Sequence, residues 1–292
     1  MKMIIIHHIL KELKNDYKFQ LKKIFFRLEI FFRGFINLIS SIKSIRKVKD
    51  FEIVIYTFGK SGSSSIYYTL MNKFPFKKIF HLHFLSDYWI KDIFPGTPHE
   101  RNVHKAATYF NYINKKHNKK IKYISLVREP IGRDISGFFQ NYRLTGENFD
   151  KNNLESIRKT ISSKGHELAT TWFDTDFLNY TGFDIFNVAF DKKTGYQIYK
   201  IDPNTELLII LTHRLTEVFE SAISEYLNLE IPELINFNKS SEKKDGLLIN
   251  DLKSYYYEDK NKISEVYSSK FVEHFFNKKE IDEYKSKWTK KI

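Results

Sequence analysis

From residue 51 onward the chain sets short continuous apolar runs between longer stretches with apolar residues at helical spacing. Phe51-Glu52-Ile53-Val54-Ile55-Tyr56, residues 77 to 84, residues 121 to 127 and Leu207-Leu208-Ile209-Ile210-Leu211 read as strands. The last is apolar throughout, as expected of a strand buried on both faces. Between them the spacing predicts helices over roughly 63–73, 98–118, 130–143, two within 151–180, and 215–228. In the last of these Leu215, Val218, Phe219, Ala222, Ile223 and Tyr226 fall on one face. Residues 249–276 and 280–291 read as further helices, so the C-terminus is helical. Strands alternating with helices predict an α/β fold, with a parallel sheet, helices on both faces and right-handed crossovers. Ligands of such sheets bind beyond the carboxyl ends of the strands. The chain has no internal repeats.

Residues 1–47 follow a different pattern. Lys11, Lys14, Lys18, Lys22, Lys23, Arg27 and Arg33 interleave with Ile24, Phe25, Phe26, Leu28, Ile30, Phe31, Phe32 and Phe35. The charges break any apolar run of the ~20 residues a membrane-spanning helix needs, and no cleavable leader pattern is evident. The stretch reads as a basic amphipathic helix. It either lies on an anionic membrane surface or packs on the domain or on a second subunit. We divide the chain into this extension, residues 1–47, and one domain, residues 48–292.

The first chemical signal is the loop Thr57-Phe58-Gly59-Lys60-Ser61-Gly62-Ser63-Ser64-Ser65. It joins a buried strand to a helix N-terminus, where main-chain N–H groups and the helix dipole favour an anion. The plainer alternative is a serine-rich turn that only caps a helix. Gly59-Lys60-Ser61 invites comparison with the nucleotide-binding Gly-x4-Gly-Lys-Ser/Thr loop, but the first glycine of that motif would fall at residue 54, which is Val54. A nucleotide kinase would also place a carboxylate for Mg²⁺ at a neighbouring strand end. Here the strand 121–127 runs into Arg128.

That strand forms the second signal. Arg128-Glu129-Pro130 leads into a helix with proline at its first turn, where a missing N–H costs nothing. Ser136 lies about two helical turns on, near the face that starts at Pro130. An arginine fork and a hydroxyl suit a phosphate. Taken alone, Arg128 would be read as a surface partner of Glu129 or Asp134. Together the two segments predict a ligand with two separated anionic groups.

The loop resembles the 5′-phosphosulfate loop, Pro-Lys-Ser-Gly-Thr-Thr, of sulfotransferases that use 3′-phosphoadenosine 5′-phosphosulfate (PAPS). Gly59 stands in place of the proline, and Ser63 and Ser64 in place of the threonines. Leu126-Val127-Arg128-Glu129-Pro130 with Ser136 resembles the 3′-phosphate motif of the same enzymes. Phe80-His81-Leu82-His83-Phe84 is similar to the His-x-His strand of heparan and uronyl 2-O-sulfotransferases. Trp172-Phe173-Asp174, Thr181-Gly182-Phe183-Asp184-Ile185-Phe186 and Gly195-Tyr196 resemble a bacterial capsular polysaccharide synthesis family. The nearest counterpart of that family's Asn-Lys-Trp-Tyr-Ser signature is Asn238-Lys239-Ser240-Ser241, within a polar segment 236–246 that is either a linker or a cover over the cofactor carrying Lys243 and Lys244.

The resemblance implies a P-loop-type, sulfotransferase-like sheet and transfer of a sulfuryl group from PAPS to a sugar hydroxyl. Lys60, Ser61, Gly62, Ser63, Ser64 and Ser65 would hold the 5′ end of the cofactor, and Arg128 with Ser136 the 3′-phosphate. His83 would be the general base, with His81 in support and Lys60 at the leaving oxygen. No metal is implied. The acceptor would be a glycan or glycolipid. Because bacteria make PAPS in the cytosol, the expected location is cytoplasmic, with residues 1–47 as a peripheral contact on the inner membrane face. The alternatives are a P-loop kinase and a non-catalytic membrane- or polyanion-binding protein.

On residue chemistry alone, His81 and His83 share one face of a strand, and histidine titrates where a general base must. The plainer alternative is a pair of structural histidines. The other eight histidines, His166 among them, show no such context, and no metal-ligand spacing is present. The 292 residues carry a net charge of +13, which suits an anionic cofactor and an acidic glycan through electrostatic steering. Nucleic acid is set aside because no homeodomain, zinc-finger or RNP-type signature accompanies the charge. With no cysteine, the chain forms no disulfide.

Overall fold

A computed structural model of the chain describes residues 50–89, 98–117, 119–145, 153–235 and 246–289. The basic N-terminal stretch and the polar segment 236–245 lie outside the described residues. Five strands form one sheet: β1 (Phe51–Tyr56), β2 (Ile79–Leu82), β3 (Lys120–Val127), β4 (Tyr196–Asp202) and β5 (Thr205–Leu211), in the order β2-β1-β3-β5-β4. The first four in that order run parallel and β4 is antiparallel at the edge. The fold is therefore mixed α/β, and the wholly parallel sheet expected from the pattern is corrected by β4. It is a hairpin partner of β5, turning at Pro203-Asn204, and as an edge strand it is only partly buried apart from Tyr199, so it has no continuous apolar run. The strand expected over residues 77–84 is shorter, and His83 lies just beyond β2.

The parallel strands bury both faces. On one side Ile53, Ile55, Ile124, Leu126, Leu208 and Ile210 meet α1 (Ser63–Lys73) and α7 (Leu215–Leu227). On the other, Val54, Tyr56, Tyr123, Val127, Leu207 and Ile209 meet a thicker layer. That layer holds α2 (Pro98–His117), α3 (Pro130–Thr145), α4 (Leu154–Ser163), α5 (Glu167–Trp172) with the π-helical turn Phe173–Phe177 that follows it, and α6 (Leu178–Thr181). The C-terminal helices α8 (Gly246–Tyr255), α9 (Lys260–Tyr267), α10 (Lys270–Phe275) and α11 (Lys278–Trp288) complete it.

The long helix expected over 249–276 is three helices. Asp259 and Ser269 cap α9 and α10 with their side chains, and Asn277 with Glu280 forms a capping box on α11. Among the described residues no helix is long and apolar enough to cross a membrane.

Candidate functional site

The carboxyl ends of β1, β2, β3 and β5 converge on the loop that follows β1. Thr57 Oγ1 donates to the Leu126 carbonyl and accepts from the Leu126 N–H, both at 3.0 Å, which ties the start of the loop to β3. Ser61, buried, donates to the Phe58 carbonyl at 2.9 Å, and Thr212, just past β5, donates to the Ser61 carbonyl at 2.8 Å. Lys60 (φ 71°) and Gly62 (φ 94°) are both left-handed. Glycine adopts that conformation freely, whereas lysine does so at a cost of about 1–2 kcal/mol. α1 starts at Ser63 with Gly62 in the N-cap position and no side-chain cap, so its first N–H groups face the loop side.

Two arginines brace the loop from β3 and α3. Arg128 donates to the Lys60 carbonyl at 2.6 Å, and Arg133 Nε donates to the Gly59 carbonyl at 2.9 Å. The Arg133 guanidinium also lies 3.6 Å from the centre of the Phe58 ring and pairs with Asp134 at 2.6 Å. The surface ion pair considered for Arg128 does not form. Glu129 turns inward, accepting from the Ile131 and Gly132 N–H groups at 2.9 and 2.8 Å, from Trp288 Nε1 at 3.1 Å and from the Tyr267 hydroxyl. Among the described residues no carboxylate pairs with Arg128. Burial pulls the pKa of its guanidinium down, with the charge of Glu129 opposing the shift. Ser136 donates within its own helix to the Gly132 carbonyl at 3.0 Å, and no hydrogen bond joins it to Arg128.

Lys60 and Arg128 thus belong to one cluster. The cavity beside Arg128, lined also by Phe58, Ser61, Arg133, Trp172 and Phe173, measures about 20 Å³. That is room for about one water molecule. A cavity of this size does not itself enclose a nucleotide.

His83 Nδ1 lies 2.8 Å from the Thr57 carbonyl. A carbonyl can only accept, so Nδ1 carries the hydrogen and Nε2 is the basic nitrogen of the neutral ring. Nε2 and Cδ2 face Gly59: a methyl group built there would lie 3.9 and 3.8 Å away. His81 is 5.0 Å from His83 between ring centres, and its Nε2 meets the Ser63 hydroxyl at 2.8 Å. Burial first, and the charge of His83 second, push His81 down to about 3, so it is neutral at physiological pH. The sequence-predicted residues Lys60, Ser61, Gly62, Ser63, His81, His83 and Arg128 therefore meet around one loop. Ser64 and Ser65 lie in the first turn of α1, and Ser65 donates its N–H to the Gly62 carbonyl at 3.1 Å. Ser136 stands apart.

Three features were missed from the sequence. Arg133 had no assigned role. Asp176, fully buried, accepts from the N–H groups of Leu85 at 2.9 Å and Ser86 at 3.2 Å and from the Tyr56 hydroxyl, pinning the segment that carries His83. His166, read as lacking context, sits between Asp134 at 2.8 Å and Glu258 at 3.3 Å. An acid within the aromatic run Trp172-Phe173-Asp174-Thr175-Asp176-Phe177 was the available signal for Asp176, since such a group must find donors. His166 and Glu258 are too far apart in sequence to signal one another.

The chain is thus a mixed α/β protein whose strand-end loop is ringed by arginine, histidine and hydroxyl groups. Residues 147–277 match the family model described as "Putative capsular polysaccharide synthesis protein", which covers less than half of the 292 residues and excludes the loop, both histidines of the site and Arg128. No curated protein and no solved structure matches the chain. Among the described residues no group of three or more His, Asp or Glu side chains is disposed to hold a metal ion.

Proposed function

We propose that this protein is a sulfotransferase that moves a sulfuryl group from PAPS to a sugar hydroxyl in a capsular or other surface polysaccharide. One observation carries the reading: a single loop is held at Lys60 by Arg128, which pairs with no carboxylate among the described residues, and at Thr57 by His83 Nδ1, which leaves Nε2 as the basic nitrogen. The family match over residues 147–277 supports the polysaccharide side of the proposal.

PAPS would supply an activated sulfuryl group. Lys60, the hydroxyls of Ser61, Ser63, Ser64 and Ser65, and the first N–H groups of α1 would hold its phosphosulfate, as preorganised donors do where charge develops. Gly62 allows the close approach of the main chain. Arg128, with N–H donors beyond the one given to Lys60, and Ser136 would hold the 3′-phosphate. His83 Nε2 would take the proton of the acceptor hydroxyl, and neutral His81 would orient Ser63. The acceptor would be a glycan or glycolipid, met in the cytoplasm or at the inner membrane face.

Titration calorimetry with adenosine 3′,5′-bisphosphate and with ATP tests the reading, together with transfer of labelled sulfate from PAPS to a panel of glycans. The bisphosphate should bind and ATP should not. No binding of the bisphosphate sinks the proposal, and binding of ATP alone points to a kinase.

A further inference from the structure

A string of buried and half-buried ionisable groups runs from the C-terminal helices to the loop, and the transfer reaction uses none of them directly. His166, only 4% exposed, precedes α5. Its Nδ1 lies 2.8 Å from Asp134 Oδ2 and its Nε2 3.3 Å from Glu258 Oε1. The other oxygen of Asp134 pairs with Arg133 Nη1 at 2.6 Å, and Arg133 Nε holds the Gly59 carbonyl at 2.9 Å. At the far end Glu258, 1% exposed, also accepts from the Tyr256 hydroxyl at 2.5 Å and from Ser162 Oγ at 2.8 Å, with Lys262 Nζ 4.0 Å away.

Carboxylates only accept, so an imidazole between two of them is held best when both nitrogens carry hydrogen, which makes it a cation. The charges then alternate along the string: Arg133 positive, Asp134 negative, His166 positive, Glu258 negative, Lys262 positive. Hydrogen bonds of this kind are directional, so a shift of His166 moves Asp134 and then the fork of Arg133.

We propose that His166 is a positioning residue which, through Asp134 and Arg133, fixes the Gly59 carbonyl and so the shape of the loop. Its importance for turnover rests on the sulfotransferase reading, but the mechanical coupling does not. The carboxylates of Asp134 and Glu258 outweigh the burial that would otherwise lower it and raise the pKa of His166 to about 9. A raised histidine pKa means that the stabilisation is complete below about 6.5 and lost as pH rises through about 9. The groups facing the ring are Asp134 from α3 and Glu258 from the segment after α8.

The test is amide exchange at pH 7 in peptides covering residues 57–62, with peptides from β5 as reference, in the wild type, His166→Gln, Arg133→Met and the double variant. Each single change should accelerate exchange in the loop by about tenfold, as expected for loss of one charge-assisted hydrogen bond, and leave β5 unchanged. The double variant should be no faster than either single one, because both cut the same connection. Unchanged loop exchange in His166→Gln, or multiplied effects in the double variant, overturns the proposal. Should His166→Gln not fold, the wild type decides: the Arg133 Nε–H NMR resonance should titrate with the midpoint of His166, and an Arg133 signal indifferent to that titration refutes the coupling. Failure of adenosine 3′,5′-bisphosphate to bind would sink the sulfotransferase reading and leave these exchange results standing.

Discussion

Asp176 provides the sharpest test of how the site is held. Its carboxylate is fully buried, and one oxygen, Oδ1, receives the Leu85 N–H, the Ser86 N–H and the Tyr56 hydroxyl. Burial raises its pKa from 3.8 to about 6, against the pull of those hydrogen bonds. The fold favours the protonated form, so the contribution of this group is complete below about 3.8 and falls away as pH rises through about 6. At 1.36 kcal/mol per pKa unit, the loss is about 3 kcal/mol by neutral pH. Asp176→Asn retains an oxygen for all three donors and carries no charge. It should be at least as stable as the wild type at pH 8, and its stability should lack the fall between pH 4 and 7. Asp176→Ala strands three buried donors and should be about 3 kcal/mol or more less stable than Asp176→Asn at every pH. Urea denaturation at pH 4.5, 6 and 8 measures all three proteins. Equal destabilisation of the Asn and Ala variants at pH 8, or the wild-type slope persisting in Asp176→Asn, refutes the reasoning.

Lys60→Gly should raise stability by up to about 1 kcal/mol in thermal denaturation, since glycine removes the left-handed strain at φ 71°, and should weaken bisphosphate binding in calorimetry. A stability loss would show that the lysine side chain, and not the backbone, fixes the loop. His83→Ala should retain that binding and lose roughly 10²–10⁴ in sulfate transfer, the range for a removed general base, and an unimpaired rate would remove His83 from the mechanism. Gly132→Ala should cost about 2 kcal/mol although alanine ordinarily favours a helix. The new methyl group would lie 2.7 Å from Glu129 Oε2, on a buried carboxylate whose Oε2 is held by the Gly132 N–H itself, and a stabilised variant in urea denaturation would contradict this.

Sequence reasoning reached what local chemistry writes in adjacent residues. β1, β3 and β5 are apolar runs buried on both faces, and α7 shows its core stripe at helical spacing. β4 escaped because Tyr196-Gln-Ile-Tyr-Lys-Ile-Asp mixes polar and apolar positions, as an edge strand does. Asp202-Pro203-Asn204 is nonetheless a turn signal that could have announced the hairpin. The breaks between the C-terminal helices were likewise legible in Asp259, Ser269 and Asn277 as caps. The loop and its histidines were legible because strand, loop and helix follow one another in sequence. The partners of His166 were not: Asp134 lies 32 residues before it and Glu258 92 after it, and only the folded helical layer makes them neighbours.

This layer also explains how a family match confined to residues 147–277 bears on a loop it does not contain. Within that span Trp172 donates to the His83 carbonyl at 2.9 Å, Asp176 holds the two residues Leu85 and Ser86, and Thr175 accepts from Trp89 at 2.8 Å. Together these fix the segment that carries His83. Phe173 and Phe271, also within the span, wall the cavity beside Arg128. His166 and Glu258 set Asp134, and through it Arg133. The matched segment therefore works as a buttress for the carboxyl ends of β1 and β2, while the groups to which the proposed transfer reaction assigns chemistry come from the preceding part of the chain. Substitutions inside the buttress should change the geometry of His83 and of the loop together, whereas substitutions within the loop should alter binding and leave the buttress intact.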